Sequence, residues 1–213
     1  MSSKTPSIST RKFFIPFKFI VINVSFLLLI NITIMPKIFR KSVIAQTRLF
    51  KIQELDIKFS NNEQRTYETI SGTGEGAVMI VPVLGNDLVL ISEYAAAVDD
   101  YSITFPKGKI DKGETILEAA NRELQEEIGY MSSNLEHVHT LDLAPGYIDH
   151  KTHIVIARDL QKSSLRGDEP EPLKIIQHSI DEIKKSYCFT NYSHVDSRVY
   201  SSLYIFFNSQ NNK

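Results

Sequence analysis

The chain has 213 residues, with 24 Lys and Arg against 25 Asp and Glu, and its formal net charge is −1 at neutral pH. This length suits one domain with a substantial core, and the balanced charge excludes the broad basic surface of a general nucleic-acid-binding protein. Cys188 is the only cysteine in the sequence, which excludes an internal disulfide and a multi-cysteine zinc site. We therefore expect a cytoplasmic protein without a nucleic-acid partner.

The first 34 residues differ in composition from the rest of the chain. Residues 19–35 are almost continuously apolar and have Lys and Arg on both flanks. The run is slightly short for a hydrocarbon core of about 30 Å, and the symmetric flanks give no orientation. A membrane anchor, an interfacial or disordered helix, and translation upstream of a true start at Met35 all remain open. We treat residues 1–34 as an extension that precedes a domain at 35–213, with a membrane partner only if 19–35 is a genuine anchor.

Apolar alternation predicts a β-hairpin near the start of this domain. Residues 50–59 form its first strand, with a one-residue slip that indicates a bulge, and residues 64–70 return after a turn at Asn61. The residues from Met35 to the hairpin have the character of a short polar lead-in. Further strands are predicted at 77–84, 88–94, 101–105, 135–143, 152–159 and 173–178.

Helices are predicted at 114–128, 179–187 and 194–207. Asp111 and Glu114 are placed like a capping pair for the first helix and Gly129 like its stop, while Ser193 is placed like the N-cap of the last helix. Strands interspersed with helices around one sheet indicate an α/β sandwich.

The stretch from Gly108 to Tyr130 carries the strongest functional signal. On a helix, Glu123, Glu126 and Glu127 fall within about a third of a turn of one another, beside an apolar stripe. Such a cluster is often only a solvated helix face, but the i,i+4 repulsion between Glu123 and Glu127 is not relieved by a lysine. Carboxylates after a glycine-containing loop are typical of a Mg²⁺ site, because Mg²⁺ prefers carboxylate oxygens and shares its coordination with substrate phosphates.

This stretch resembles the Nudix box, G-x5-E-x7-R-E-U-x-E-E-x-G-U, at all nine specified positions, counting Tyr130 as the last bulky residue. The resemblance implies a Nudix fold, an α/β/α sandwich around a mixed sheet with the N-terminal antiparallel hairpin added. It also implies metal-assisted attack of water on a nucleoside diphosphate linked to another group.

The same resemblance implies roles for individual residues. Mg²⁺, or Mn²⁺, would be bound by Glu123, Glu127 and the backbone carbonyl of Lys107. Glu126 would support a second metal or its waters. Arg122 would pair with Glu114 to hold the helix and its preceding loop together.

Outside the box, the chain is similar to the ADP-ribose branch of the family, in segments 47–50, 77–82, 93–95, 144–147 and 167–173. This implies hydrolysis of ADP-ribose, diadenosine polyphosphates or NADH with release of AMP. It also implies a homodimer in which the N-terminal hairpin contributes a slot for adenine. The candidate substrate-binding residues are Arg48, Glu93, Tyr94, Pro145 and Tyr147. Related enzymes usually have arginine at the position of Ser92, so a possible diphosphate contact or an interface salt bridge is missing.

Two further sets of residues need interpretation. Glu169 and Glu171 lie in a proline-containing acidic loop, where the resemblance implies a metal-contacting or general-base glutamate. We favour Glu171, because it is nearer the following strand and so held more rigidly; a solvated loop is the alternative. His150 and His153 are interpreted as loop histidines without fixed partners.

Two other functions remain open at this point. Some Nudix domains only sense nucleotides, but such domains commonly lose box glutamates, and this chain has them all. A Nudix enzyme acting on RNA 5′ ends is the other alternative, and the lack of a basic groove argues against it.

Overall fold

The computed structural model describes residues 35–72, 74–186 and 189–211. Eleven strands in these ranges form one mixed sheet, with the central order β1-β2-β3-β9-β4-β5-β6-β11, while β7, β8 and β10 pair with β4, β9 and β5. The strands are β1 (Lys37–Gln46), β2 (Lys51–Lys58), β3 (Gln64–Ser71), β4 (Ala77–Leu84), β5 (Asp87–Ala95), β6 (Asp100–Thr104), β7 (Lys107–Lys109), β8 (Tyr130–Ala144), β9 (Ile148–Lys162), β10 (Lys174–Ser179) and β11 (His194–Val195). The helices are α1 (Ile116–Glu127), α2 (Ile180–Lys185) and α3 (Ser197–Asn211).

The apolar extension at 1–34, on which the anchor hypothesis depends, lies outside the described residues. Within the part of the chain that the structure describes, no helix is long and apolar enough to cross a membrane.

The centre of the sheet is buried on both faces. Successive residues of a strand point to opposite sides, so Val78 and Ile80 of β4 pack toward α1, whereas Met79 and Val81 pack toward α2 and α3. Strand β9, which pairs in parallel with β4, divides its side chains in the same way. Two apolar layers therefore separate the sheet from helices on either face, and the predicted α/β/α sandwich is confirmed.

Helix α1 begins one turn later than the capping pair predicted. Its N-cap is Thr115, whose side chain accepts a hydrogen bond from the backbone N of Glu118, while the Glu118 carboxylate accepts one from the backbone N of Thr115. The predicted pair forms the turn before the helix instead, where Glu114 accepts a hydrogen bond of 3.0 Å from the backbone N of Asp111. Gly129 follows the helix with φ of 74°, a left-handed conformation that suits glycine, so the predicted stop is correct.

The N-terminal hairpin is confirmed as β2 and β3, but two details of the prediction are wrong. The β2–β3 register runs without a break, so the predicted bulge in β2 is absent from this pair. The residues before it are not a lead-in but a third strand, β1, whose pairing with β2 shifts register at Phe39 and at Ile44. Each shift inserts an extra residue, and this breaks the alternation by which a strand is recognised in a sequence.

The last helix also starts later than predicted. Residues 194 and 195 form the short strand β11 beside β6, and α3 begins at Ser197. Asp196 caps α3, since its carboxylate accepts a hydrogen bond of 2.9 Å from the backbone N of Arg198. The predicted N-cap, Ser193, precedes the strand instead.

Candidate active site

The carboxylates of α1 face the loop that follows β6. Glu123 is buried, with 8% of its surface exposed, and lies against Gly108 of β7. A Cβ atom on Gly108 would lie 1.8 Å from Glu123 Oε1, so only glycine leaves room for this carboxylate. Glu127 accepts a hydrogen bond of 2.9 Å from the backbone N of Lys107. The helix and the short strand are thus in direct contact through two of the three box glutamates that lie on the helix.

Arg122 connects the other acidic groups of the box. Its Nε and Nη2 donate to the two oxygens of Glu114 at 2.9 and 3.0 Å, the ion pair expected from the sequence. Its Nη1 donates to Glu123 at 2.7 Å and to Glu126 at 3.0 Å. The hydrogen bonds with Glu114 raise the pKa of Arg122 and hold the pKa of Glu114 below its ordinary value. Arg122 therefore stays charged and fixes the loop to the helix.

Burial makes two of these carboxylates hard to ionise. Desolvation raises the pKa of Glu123 to about 7, although Arg122 opposes the shift. Desolvation likewise raises the pKa of Glu127 to about 8, against the opposing charge of Lys107. A buried carboxylate that lacks enough positive charge around it is a group that a cation would stabilise.

These groups line a cavity of about 560 Å³, which we call the acidic cavity. Its acidic side chains are Glu93, Asp111, Glu123, Glu126, Glu127, Asp168 and Glu169. Its basic side chains are Lys107, Lys109, Arg122 and Arg166. Lys107 is paired with Glu93 through its Nζ atom. With seven acids against four bases, the acidic cavity favours cations.

The acidic loop contributes to this cavity, but not through the glutamate that the sequence favours. Glu169 lines the acidic cavity, where burial, followed by the charge of Glu93, raises its pKa. Glu171 instead accepts a hydrogen bond of 2.6 Å from the hydroxyl of Tyr101 and lies outside the cavity lining. Glu171 precedes β10, which pairs with β5 beside β6, and this brings it to Tyr101. The preference for Glu171 is therefore not supported by its position.

The residues of the acidic cavity fit a hard divalent cation in their chemistry. The donors are carboxylate oxygens, and the backbone comes close to the Glu123 carboxylate at Gly108, which has no Cβ atom. The buried carboxyls of Glu123 and Glu127 have raised pKa values. Among the described residues no three acidic or histidine side chains already converge as ligands. Glu123 faces Arg122, and Glu127 faces the backbone N–H of Lys107, so these contacts would be exchanged for a metal.

A larger cavity of about 740 Å³ adjoins the acidic cavity, and residues 107–109 line both. We call it the second cavity. Leu49 and Phe50, in the turn between β1 and β2, line one part of it, and Arg198 of α3 lines another. A volume of this size is typical of small-molecule sites.

The predicted substrate-binding residues are only partly gathered at these cavities. Glu93 lines the acidic cavity, and Arg48 directly precedes Leu49 and Phe50, which line the second cavity. Tyr94 lies at neither lining; it is exposed and donates a hydrogen bond of 2.6 Å to Asp99. Pro145 and Tyr147 lie in the exposed turn between β8 and β9, and it is their neighbours Leu143 and Ile148 that line the second cavity.

The histidine interpretation is wrong in one respect. His150 and His153 belong to strand β9 rather than to a loop. His153 has fixed partners, since its ring nitrogens lie 3.0 Å from Thr140 Oγ1 and 3.2 Å from the carbonyl oxygen of Glu75.

Ser92, at the position where arginine is usual, pairs across strands with Lys174.

Sequence reasoning missed several residues that the fold brings to the cavities. Asp168 and Arg166 flank the glycine of the acidic loop, and only the composition of that loop hinted at them. Lys109 lies inside the box but is not one of its specified positions. Arg198 is separated from the box by about seventy residues along the chain, and no local pattern connects it with the site.

Comparisons with known proteins define the class. A NUDIX domain matches residues 75–194, more than half of the chain, and a NudE-type Nudix hydrolase N-terminal domain matches residues 36–68. The chain therefore belongs to the Nudix hydrolase family. Members of this family generally use a divalent metal.

Two relatives and one solved structure are similar to this chain over most of their own length. The chain is 46% identical over 138 residues to "ADP compounds hydrolase NudE" of Escherichia coli, covering 65% of this chain and 74% of that protein. It is 26% identical over 156 residues to "ADP-ribose pyrophosphatase" of Bacillus subtilis, covering 70% and 84%. A crystal structure of an ADP compounds hydrolase superposes with a TM-score of 0.77 at 38% identity, covering 83% of this chain and 95% of that one.

Proposed function

We propose that this protein hydrolyses the diphosphate bond of ADP compounds, namely ADP-ribose, diadenosine polyphosphates and NADH, and releases AMP. The observation that carries the proposal is the acidic cavity on α1, which continues through residues 107–109 into a second cavity of substrate size. The relatives named as hydrolases of ADP compounds and of ADP-ribose support the same substrate class. Magnesium, or manganese, is the cofactor that we assign.

Glu123, Glu127 and the backbone carbonyl of Lys107 would hold the metal, and Glu126 would hold a second ion or its waters. When bound, the metal neutralises the diphosphate and lowers the pKa of a coordinated water. Arg122 holds the preceding loop to the helix through Glu114, and its Nη1 would keep Glu126 in place when Glu123 exchanges its contact with Arg122 for the metal. Because Gly108 has no Cβ atom, the β7 backbone and the buried carboxylate of Glu123 lie close together where charge develops.

We assign the general base to Glu169 rather than Glu171, because Glu169 lines the acidic cavity and burial has raised its pKa toward the working range. A water attacks one phosphorus, its proton passes to the Glu169 carboxylate, and the bond from that phosphorus to the bridging oxygen breaks. Both products leave as phosphate monoesters, which for ADP-ribose are AMP and ribose 5-phosphate.

We also propose that the protein is a homodimer joined through its N-terminal strands. Strand β1 pairs with β2 alone and forms the end of the described sheet, so its outer edge is open among the described residues. About half of the surface of each of its four large apolar side chains is exposed: Ile38, Phe39, Val43 and Ile44. Exposed apolar residues on an open edge strand favour pairing with another chain. The partner's strands would then lie beside the lining residues Leu49 and Phe50.

Residues 35–213 are proposed as one hydrolase domain, which the two family matches at 36–68 and 75–194 support. A cytoplasmic location remains a prediction from the single cysteine.

Turnover of ADP-ribose tests the function. We expect the wild type to release AMP when Mg²⁺ is present, and Glu127→Gln to lose at least about 100-fold in kcat, because the amide removes a metal ligand. Glu118→Gln is the matched control on the same helix, since glutamine retains the capping bond. No AMP from any ADP compound, or a fully active Glu127→Gln, would refute the proposal.

A further inference from the structure

Arg198 is the basic residue of the second cavity whose position is most completely determined by its neighbours. It lies in the first turn of α3, on the side of the sheet opposite to α1. Its guanidinium Nε donates to both oxygens of Asp196 at 3.0 Å, and Nη2 donates to one of them at 2.6 Å. Nη1 donates to Thr152 Oγ1 at 3.3 Å. These hydrogen bonds orient the guanidinium of Arg198 before any ligand binds.

The groups that hold Arg198 are themselves fixed. Thr152 is fully buried in β9, and the backbone N of Asp196 donates a hydrogen bond of 2.9 Å to the carbonyl oxygen of Ile103 in β6. Although burial opposes it, the hydrogen bonds and charge of Arg198 hold the pKa of Asp196 below its ordinary value. The ion pair is therefore charged throughout the neutral range and anchored to two strands.

A purely structural role would explain the contacts of Arg198 with Asp196 and Thr152. It would not explain why the remaining N–H groups of the guanidinium face a cavity. A guanidinium has five N–H groups, and these contacts use three of them. The other two have no partner among the described residues, although the side chain lines a cavity. Donors of this kind at a cavity wall are available to a ligand.

The charge of the second cavity also differs from that of its neighbour. Lys107, Lys109, Lys151 and Arg198 line it against only two acids, Glu75 and Asp149. His150 lines the same cavity. Burial lowers its pKa, and the positive charge of Arg198 lowers it further. An oxygen-rich anion is the ligand that such a wall recognises, and the planar fork of arginine suits phosphate.

We propose that Arg198 binds a phosphate oxygen of the nucleotide half that occupies the second cavity, and that Asp196 and Thr152 are its positioning residues. The inference rests on the proposed function, because it takes the scissile diphosphate to lie across residues 107–109, with one phosphate in the acidic cavity and the phosphate of the nucleotide half in the second cavity. Residues 107–109 line both cavities, so a substrate that crosses them brings one half toward Arg198.

The test compares R198Q with R198K and D196N in the full chain, using ADP-ribose and saturating Mg²⁺. We expect R198Q to raise KM about tenfold or more with kcat within about threefold, since a charged hydrogen bond made equally in ground and transition states affects binding alone. R198K keeps the charge without the fork and should give an intermediate KM. D196N keeps the guanidinium and an oxygen for the helix cap but weakens the ion pair that orients Arg198, so its KM should lie between those of wild type and R198Q.

Three outcomes would overturn the inference. One is an unchanged KM in R198Q, and another is a KM increase in D196N as large as that in R198Q, which would assign the effect to the ion pair. The third comes from calorimetric titration of AMP and of ribose 5-phosphate without metal: R198Q should lose about tenfold in affinity for one of them, and a loss for neither contradicts a phosphate contact. R198K replaces R198Q in this titration if R198Q does not fold, with a smaller loss expected.

Failure of this inference is distinguishable from failure of the proposed function. Wild-type turnover alone tests the function. The phosphate contact is tested by the ratio of KM values between the Arg198 variants and wild type. It is also tested by the titrations, which need no turnover.

Discussion

The carboxylate of Glu123 occupies the space in which a side chain on residue 108 would lie. A Cβ atom built on Gly108 would be 1.8 Å from Glu123 Oε1 and 2.0 Å from its Cδ atom, well inside van der Waals contact. The glycine of the box therefore has a steric role that is independent of its backbone angles. It lets the β7 backbone approach the buried carboxylate of α1.

Gly108→Ala should displace the Glu123 carboxylate rather than unfold the protein, because the clash is with the end of a side chain. We expect a loss of at least about 100-fold in kcat/KM, as expected when a metal ligand is misplaced, and weaker Mg²⁺ binding measured by calorimetry. The control is Gly146→Ala, since a Cβ atom there meets nothing within 4 Å. Similar kinetics for both variants would contradict a steric role for Gly108.

The two glutamates of the acidic loop should behave differently. Glu169→Gln removes the carboxylate that lines the acidic cavity, and a lost general base typically costs on the order of 100- to 10,000-fold in kcat. Glu171→Gln removes only a charge outside the cavity lining, its amide oxygen can still accept from Tyr101, and kcat should stay within about threefold. Steady-state kinetics with ADP-ribose measures both. The reverse order of effects would restore the preference that the sequence alone suggests.

Stability of the metal-free protein should fall as the pH rises. Glu123 and Glu127 have folded pKa values of about 7 and about 8, above the ordinary 4.5, because burial disfavours their charged forms. Between these values the folded protein binds protons that the unfolded chain releases. The stability from this proton binding is fully present below pH 4.5 and is lost as the pH passes through 7 and 8. The free energy of unfolding, measured with urea in EDTA, should fall by on the order of 6 kcal/mol between pH 5 and 8.5.

Glu127→Gln provides the control for this pH dependence. Its amide does not ionise, so the variant should be more stable than wild type at pH 8.5 without metal and should decline less with pH. Added Mg²⁺ should stabilise wild type more at pH 8.5 than at pH 5, because protons compete with the metal for the carboxylates. If the free energy of unfolding falls with pH equally in wild type and Glu127→Gln, burial does not raise the pKa of Glu127.

The proposed homodimer can be tested on its open edge strand. Ile38→Asp places a charge on β1, where half of the isoleucine surface is exposed, and should raise the dimer dissociation constant by about tenfold or more in analytical ultracentrifugation. Ile175→Asp is the matched control, because Ile175 is 45% exposed on β10, which pairs with β5 alone. A monomeric wild type, or equal effects of the two substitutions, would exclude an interface at β1.

Features encoded locally were predictable from the sequence. The box places its glutamates on one helical face, the apolar runs mark β4 and β5, and Gly129 ends α1, because each depends on residues a few positions apart. Strand β1 escaped prediction since its two extra residues break the alternation. The start of α1 was misplaced because two capping patterns overlap, and Thr115 with Glu118 satisfies both backbone donors.

Residue types at fixed spacing were sufficient to identify the family, the helix that carries the carboxylates and the chemistry that suits a metal. Which glutamate of the acidic loop lines the cavity depends instead on packing, because nearness to the following strand, which favoured Glu171, does not show that Glu171 meets Tyr101 while Glu169 lines the acidic cavity. The tertiary structure also brought Arg198 to the second cavity. That placement depends on α3 packing beside β6 and β9, and a contact between elements so distant along the chain leaves no periodic signal.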